Sequence, residues 1–220
     1  MECGVGFLNP MPCESEIQGM YSNYYNREDG IGYTAYPTDL VTTALDCLLW
    51  DIVKRHARSA SRLLDVGCAY GARVGFFASR GLKASGVDMS EEAVTYGRQK
   101  WRLDLRASRF EDMISNEAFD VITMIDFIEH TLPSSWAIKT KQLTRQGSLV
   151  VILTPDFDCY ADYGGAWTGY RTSFEHIIFY NRQALASILR SHGFEIVMAT
   201  NVRSPPTVTD NPSDSSKTAS

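Results

Sequence analysis

The sequence has no run of about 18 apolar residues, so no segment of it is expected to span a bilayer. It contains no C-x-x-C and no H-x-x-H pair, which removes the usual zinc spacings, and no metal is assigned. Its five cysteines, Cys3, Cys13, Cys47, Cys68 and Cys159, are scattered and odd in number. Such a set reads as reduced thiols in a cytoplasmic setting. Basic residues are in deficit: 21 Lys and Arg stand against 26 Asp and Glu, a formal net charge of -5, with a pI near 5.4. Attraction to nucleic acid or to an anionic membrane needs a basic face, so neither partner is expected. The first twenty residues hold no Lys or Arg and no long apolar stretch, which argues against a signal peptide. No internal repeat is present.

What the chain does have is 44% hydrophobic residues in a length of 220, enough for one α/β domain with a core. Residues 1–37 read as an irregular, aromatic-rich segment. The apolar spacing of Leu40, Val41, Ala44, Leu45, Leu48, Leu49, Ile52 and Val53 predicts a helix from Thr38 to about Ala57. Strands and helices then alternate. "RLLDV", "KASGVD", "LRAS", "AFDVITMID", "SLVVILTP" and "FEIVMAT" read as strands. Ala72–Arg80, "SEEAVTYGRQKW" with Ser90 as N-cap, Ser134–Thr144 and "NRQALASILRSHG", stopped by Gly193, read as helices. This alternation predicts a Rossmann-like, doubly wound, mostly parallel sheet of six or seven strands with helices on both faces. Residues 38–200 form the domain, and the polar residues 201–220 are expected to be a disordered tail.

Ligands of such sheets sit at the carboxyl ends of strands, near the switch in strand order. The turn Asp65-Val66-Gly67-Cys68-Ala69-Tyr70-Gly71 lies there. A dinucleotide wants G-x-G-x-x-G with its diphosphate over the helix start. Here those positions read Gly67, Ala69 and Ala72, and Asp65 adds negative charge. A donor carrying an ammonium and a sulfonium suits that carboxylate better. The pattern "LLDVGCAYG" resembles the first motif, D-x-G-x-G-x-G, of class I S-adenosylmethionine-dependent methyltransferases, with Ala69 in place of the middle glycine.

The resemblance extends in order over roughly residues 40–200 and is closest to the small-molecule group that includes the ubiquinone-biosynthesis type. It implies S-adenosylmethionine as cofactor, held by Asp65, Gly67, Cys68, Ala69 and Gly71 and by Asp88, whose carboxylate suits the ribose hydroxyls. Met89 would lie against the adenine. "SRFEDM" stands where the family has a short acidic motif, with Arg109 in the usual aspartate's place and Phe110 and Glu111 as alternative contacts. Ile125 and Asp126, at the end of the fourth strand of the resemblance, are likewise assigned to the cofactor, and Glu129 and His130 follow. The N-terminal "ECGVGFLNPMP" is similar to a lead-in of that group which a zinc ribbon sometimes precedes. Only Cys3 remains of such a ribbon. The family's seventh, antiparallel strand has no counterpart beyond Val202.

Methyl transfer from a sulfonium is an in-line displacement, so the acceptor must be aligned and water excluded. A hydroxyl acceptor must also lose a proton. His130 and His176 are the candidate bases, each with a loop-fixing hydrogen bond as the alternative reading. Residues 156–181 are expected to form a lid. Eight aromatics fall in the 24 positions from Phe157 to Tyr180, against 11% in the whole chain. Of these, Tyr163, Trp167 and Tyr170 are assigned to the acceptor, while Phe174, Phe179 and Tyr180 read as core. Tyr21, Tyr24 and Tyr25 of the N-terminal segment would close the other side, Tyr25 over the donor. The expected activity is methyl transfer to a small molecule, O-methylation favoured. A nicotinamide-dependent oxidoreductase and a non-catalytic donor-binding module are the alternatives.

Overall fold

The computed structural model describes residues 4–13, 15–17, 19, 37–167, 169 and 175–200. In chain order its strands are β1 (Val5–Phe7), β2 (Arg62–Val66), β3 (Lys83–Asp88), β4 (Leu105–Ala107), β5 (Phe119–Ile125), β6 (Thr144–Leu153) and β7 (Ile178–Tyr180). Its helices are α1 (Ala44–His56), α2 (Ala72–Ser79), α3 (Glu91–Trp101), α4 (Pro133–Leu143), α5 (Tyr160–Tyr163) and α6 (Arg182–Ser191). The central sheet runs β4-β3-β2-β5-β6, parallel at every pairing. All seven residues of β5 are buried, as a strand covered on both faces requires.

Two apolar layers flank the sheet. On one face Leu63 and Val121 meet Leu49 and Val53 of α1, Phe76 and Phe77 of α2, and Val94 of α3. On the other, Leu64, Val66, Ile122 and Met124 meet Trp136 and Ala137 of α4, with Leu185, Ile188 and Leu189 of α6 packed against them. The order reverses between β2 and β5, so the crevice at their carboxyl ends is the switch point.

The helix expected from Thr38 starts later, at Ala44, because Thr43 and Asp46 form a capping box that fixes the first turn. Ser90 caps α3 through the Ala93 amide as expected, and Gly193, at φ +79°, follows the end of α6. The strand count is corrected from six or seven to five in the main sheet. Residues 194–200 form no strand. β-propensity expresses itself only where cross-strand neighbours exist, and this segment has none among the described residues.

Two short strands absent from the sequence reading take the place of an edge. β1 pairs antiparallel with β7, and Tyr180 bridges to Asp156 just past β6. The N-terminal segment is thereby tied to the aromatic segment. Phe157 sits on Gly6, where an added Cβ would come within 2.7 Å of the ring. Phe157 stacks with Phe179 at 5.7 Å, and Tyr160 and Trp167 complete a four-ring cluster. Phe179 and Tyr180 are buried core, as read from the sequence. Residues 20–36, Tyr170, Phe174 and 201–220 lie outside the described residues, and with them the expectations for Tyr21, Tyr24, Tyr25 and Tyr170 and for a disordered tail.

Candidate functional site

The turn after β2 is built from three left-handed residues, Gly67 (φ +72°), Ala69 (φ +50°) and Gly71 (φ +86°). A left-handed alanine costs roughly 1–2 kcal/mol that glycine avoids, so Ala69 pays a strain in the place of the resembling motif's middle glycine. Two contacts hold it there. The Ala69 amide donates to Asp88 Oδ2 at 2.8 Å, and α3 presses against the adjoining backbone at Gly97. A Cβ on Gly97 would lie 2.1 Å from the Tyr70 carbonyl oxygen. A glycine in mid-helix costs about 1 kcal/mol, and that cost was the available sequence signal for a close approach.

Asp88 also accepts the Ser90 amide on Oδ1 at 2.8 Å. It therefore joins the turn to the start of α3, and the carboxylate keeps acceptor capacity for a further donor. Burial raises its pKa, opposed by the Ser90 and Ala69 amides. Met89 beside it is exposed. Cys68 is buried against Gly86 of β3, and burial pushes its thiol pKa up, so its side chain belongs to the core. Phe110 is buried edge-to-face on Phe127, and Glu111 accepts the Ser135 hydroxyl at 3.0 Å.

Asp65 is fully buried. Its carboxylate accepts the Thr123 hydroxyl at 2.7 Å and the Arg73 guanidinium at 3.3 Å. Arg73 also pairs with buried Asp46 of α1 at 3.3 Å. The charge that suggested a cationic ligand is thus shared out inside the protein. Asp88 and Asp126 are the carboxylates at the crevice, and Asp126 is the exposed one. Arg73, Thr123, Asp46 and Gly97 are functional supports that the sequence reading missed.

Beyond β5, Asp126 adopts φ +51° and its amide donates to the Leu153 carbonyl at 2.9 Å. Desolvation raises its pKa, opposed by His176 and Arg73. The 3-10 turn Ile128–His130 follows and meets His176 edge to face, ring to ring 4.8 Å. His130 Nδ1 bonds the Glu175 carbonyl at 2.8 Å, and His176 Nδ1 bonds the Gly169 carbonyl at 2.7 Å. A carbonyl only accepts, so both Nδ1 atoms carry protons. The structure therefore brings His130, His176 and Asp126 together. Of the assigned acceptor residues, Trp167 is buried within the four-ring cluster and Tyr163 is half-buried. Donor atoms of Glu129, His130 and His176 spread over as much as 4.8 Å.

Two buried groups here shift in opposite directions. Burial pushes Glu129 up to about 8, while burial and neighbouring His176 hold His130 down to about 4. A carboxyl raised by folding costs stability as pH climbs from its unfolded value toward 8. An imidazole depressed by folding costs stability as pH falls from about 6.5 toward 4. Stability is expected to be greatest near about pH 5–6 and to drop by roughly 2 kcal/mol between about pH 6.5 and 8. Urea unfolding across that range checks it, and Glu129→Gln should flatten the alkaline limb. An alkaline limb unchanged by that substitution would remove Glu129 as its source.

Among known proteins, a family model described as a methyltransferase domain matches residues 41–199. A ubiquinone biosynthesis O-methyltransferase of Aromatoleum aromaticum is 30% identical over 113 residues, 47% of this chain and 48% of the relative. One of Hahella chejuensis is 34% identical over 86 residues, 36% of each chain. The chain thus spans less than half the length of the relatives it matches. Among solved structures, a SAM-dependent methyltransferase from Archaeoglobus fulgidus aligns with a TM-score of 0.52 at 19% identity, covering 68% of this chain and 69% of that one. The PH0226 protein of Pyrococcus horikoshii aligns at 0.56 and 14%, covering 72% and 87%. At such identities the structures speak for the fold alone, and the family match carries the assignment: the chain belongs to the methyltransferase-domain family.

Proposed function

We propose that the protein transfers a methyl group from S-adenosylmethionine to a hydroxyl of a small molecule, with His176 as the proton acceptor. The observation that supports this most is the disposition of His176: Nδ1 is tied to a carbonyl, so Nε2 keeps a lone pair, and the ring is close enough to Asp126 to favour its ionised form. His130 is disfavoured in that role, since a group held near 4 takes up little proton at neutral pH. The O-methyltransferase names of the relatives from Aromatoleum and Hahella favour oxygen as the methylated atom.

The residues present fit the donor. Asp88 has lone pairs left for ribose hydroxyls, exposed Met89 offers an apolar surface for adenine, and Asp126 offers a carboxylate toward a cationic group. When bound, S-adenosylmethionine supplies an electrophilic methyl on a sulfonium. The chain's own residues orient the acceptor in line, keep water out and receive the proton. The packing of β1, β7 and the four-ring cluster supports a covering role for the described residues within 156–181, with Tyr163 assigned to the acceptor.

The test is radiolabelled methyl transfer to a panel of hydroxylated small molecules, with His176→Ala and His130→Ala compared. His176→Ala is expected to lower kcat by about 10²–10⁴-fold, as for loss of a general base, with affinity for S-adenosylhomocysteine unchanged. His130→Ala should cost far less. Equal losses in both would leave His176 without a special role.

A further inference from the structure

We propose that Glu129 is the positioning residue for His176, its inner carboxylate oxygen orienting the Nε2 side of the imidazole and stabilising the imidazolium formed when the acceptor's proton arrives. The inference rests on the reading of His176 as base. Its geometry is independent of the acceptor.

Glu129 is 1% exposed. One oxygen, Oε2, accepts the Thr154 hydroxyl at 2.9 Å. The other, Oε1, is buried and has no hydrogen-bond partner among the described residues. An acceptor left so costs about 1–3 kcal/mol unless something donates to it at some stage of the cycle. His176 Nε2 lies 3.9 Å from that oxygen. The gap is too long for a hydrogen bond. A small tilt of the ring closes it once Nε2 carries a proton. Both sides are held: the Glu129 carbonyl accepts the Ile177 amide at 2.9 Å, next in sequence to His176.

The acceptor's O–H bond would break and its electron pair attack the methyl carbon, the carbon–sulfur bond of the sulfonium would break with its pair left on sulfur as the neutral thioether, and the proton would bond to His176 Nε2. His176 keeps its Nδ1 proton on Gly169 throughout. The new N–H then turns to donate to Glu129 Oε1 as the methylated product moves off, and the proton is lost to solvent before the next cycle.

The titratable and polar groups that face Glu129 come from several elements. Asp126 and His130 come from its own turn, Thr154 follows β6, Glu175 and His176 precede β7, and Tyr180 lies on β7. Burial pushes Tyr180 up to about 12 and holds His130 near 4, so both stay neutral at mild pH. Asp126 adds to the burial that pushes Glu129 up to about 8.

The full chain and its Glu129→Gln variant decide the matter by two readouts. Turnover of the wild type is expected to rise with pH and level off above about 8. In Glu129→Gln that limb should vanish, with kcat at high pH about tenfold lower and S-adenosylhomocysteine affinity unchanged. Nitrogen NMR of His176 needs no acceptor: a step near pH 8 in its Nε2 shift is expected in the wild type and not in Glu129→Gln. A step that persists in the variant, or pH profiles that superimpose, overturns the proposal. An NMR step lost in the variant while no hydroxylated acceptor turns over sustains the pairing and overturns the small-molecule reading instead.

Discussion

Arg73→Met is expected to lower the unfolding free energy by about 3–5 kcal/mol, because it strands a buried carboxylate that has one cation beside it. Asp65 lies beneath the glycine turn with no exposure, and its partners are Thr123 and Arg73. Burial already raises its pKa, with the Arg73 charge as the largest opposing influence. Without the guanidinium the carboxyl rises further. A group raised by folding binds more protons in the folded state, so the variant regains stability as pH falls and loses it as pH climbs through the carboxyl's new value. Urea unfolding at several pH values measures this. The deficit against the wild type should shrink toward pH 4, and the double variant Arg73→Met/Asp65→Asn should recover part of it. A deficit that is flat with pH would mean that Arg73 acts by packing alone.

That network also marks where sequence reasoning stopped. Asp65 was legible as a carboxylate at a strand end, since "RLLDV" before small residues dictates both. Its partner was not. Arg73 sits eight residues on, and only the closure of α2 over β2 brings its guanidinium back to the strand. Asp46 joins from α1, across a separate layer. Local patterns were read well: β5 from its unbroken apolar run, the start of α3 from Ser90, the switch point from the alternation of elements. The misses were non-local. Three-residue strands such as β1 and β7 carry too little periodicity to be seen, and they exist because they pair with each other. "FEIVMAT" has the composition of a strand yet lacks a neighbour. The aromatic excess after Asp156 was visible, but its use in packing Phe157 onto Gly6 depended on where β1 came to rest.

Asp88→Ala should weaken S-adenosylhomocysteine binding about a hundredfold or more. The substitution removes an ionised acceptor, and each charge-assisted bond to a ribose hydroxyl contributes roughly 1.5–3 kcal/mol. It also frees the amides of Ala69 and Ser90, which the carboxylate now accepts at 2.8 Å each. Ala69 is strained at φ +50°, and without that bond the turn loses the contact that holds it in shape. Part of the affinity loss therefore comes from the turn and part from the missing ribose contact. Asp88→Asn separates them, since its single carbonyl oxygen can satisfy one amide while its NH2 group opposes the other. Calorimetric titration of the three proteins is expected to rank wild type over Asn over Ala, with Asn weakened about tenfold. An Ala variant that binds as the wild type does would place the adenosine elsewhere. NAD supplies the remaining comparison, because its ribose would satisfy Asp88 equally well. Its diphosphate would lie close to the Asp88 and Asp126 carboxylates, so the charge pattern that admits a sulfonium opposes NAD, and no heat of NAD binding is expected from any of the three.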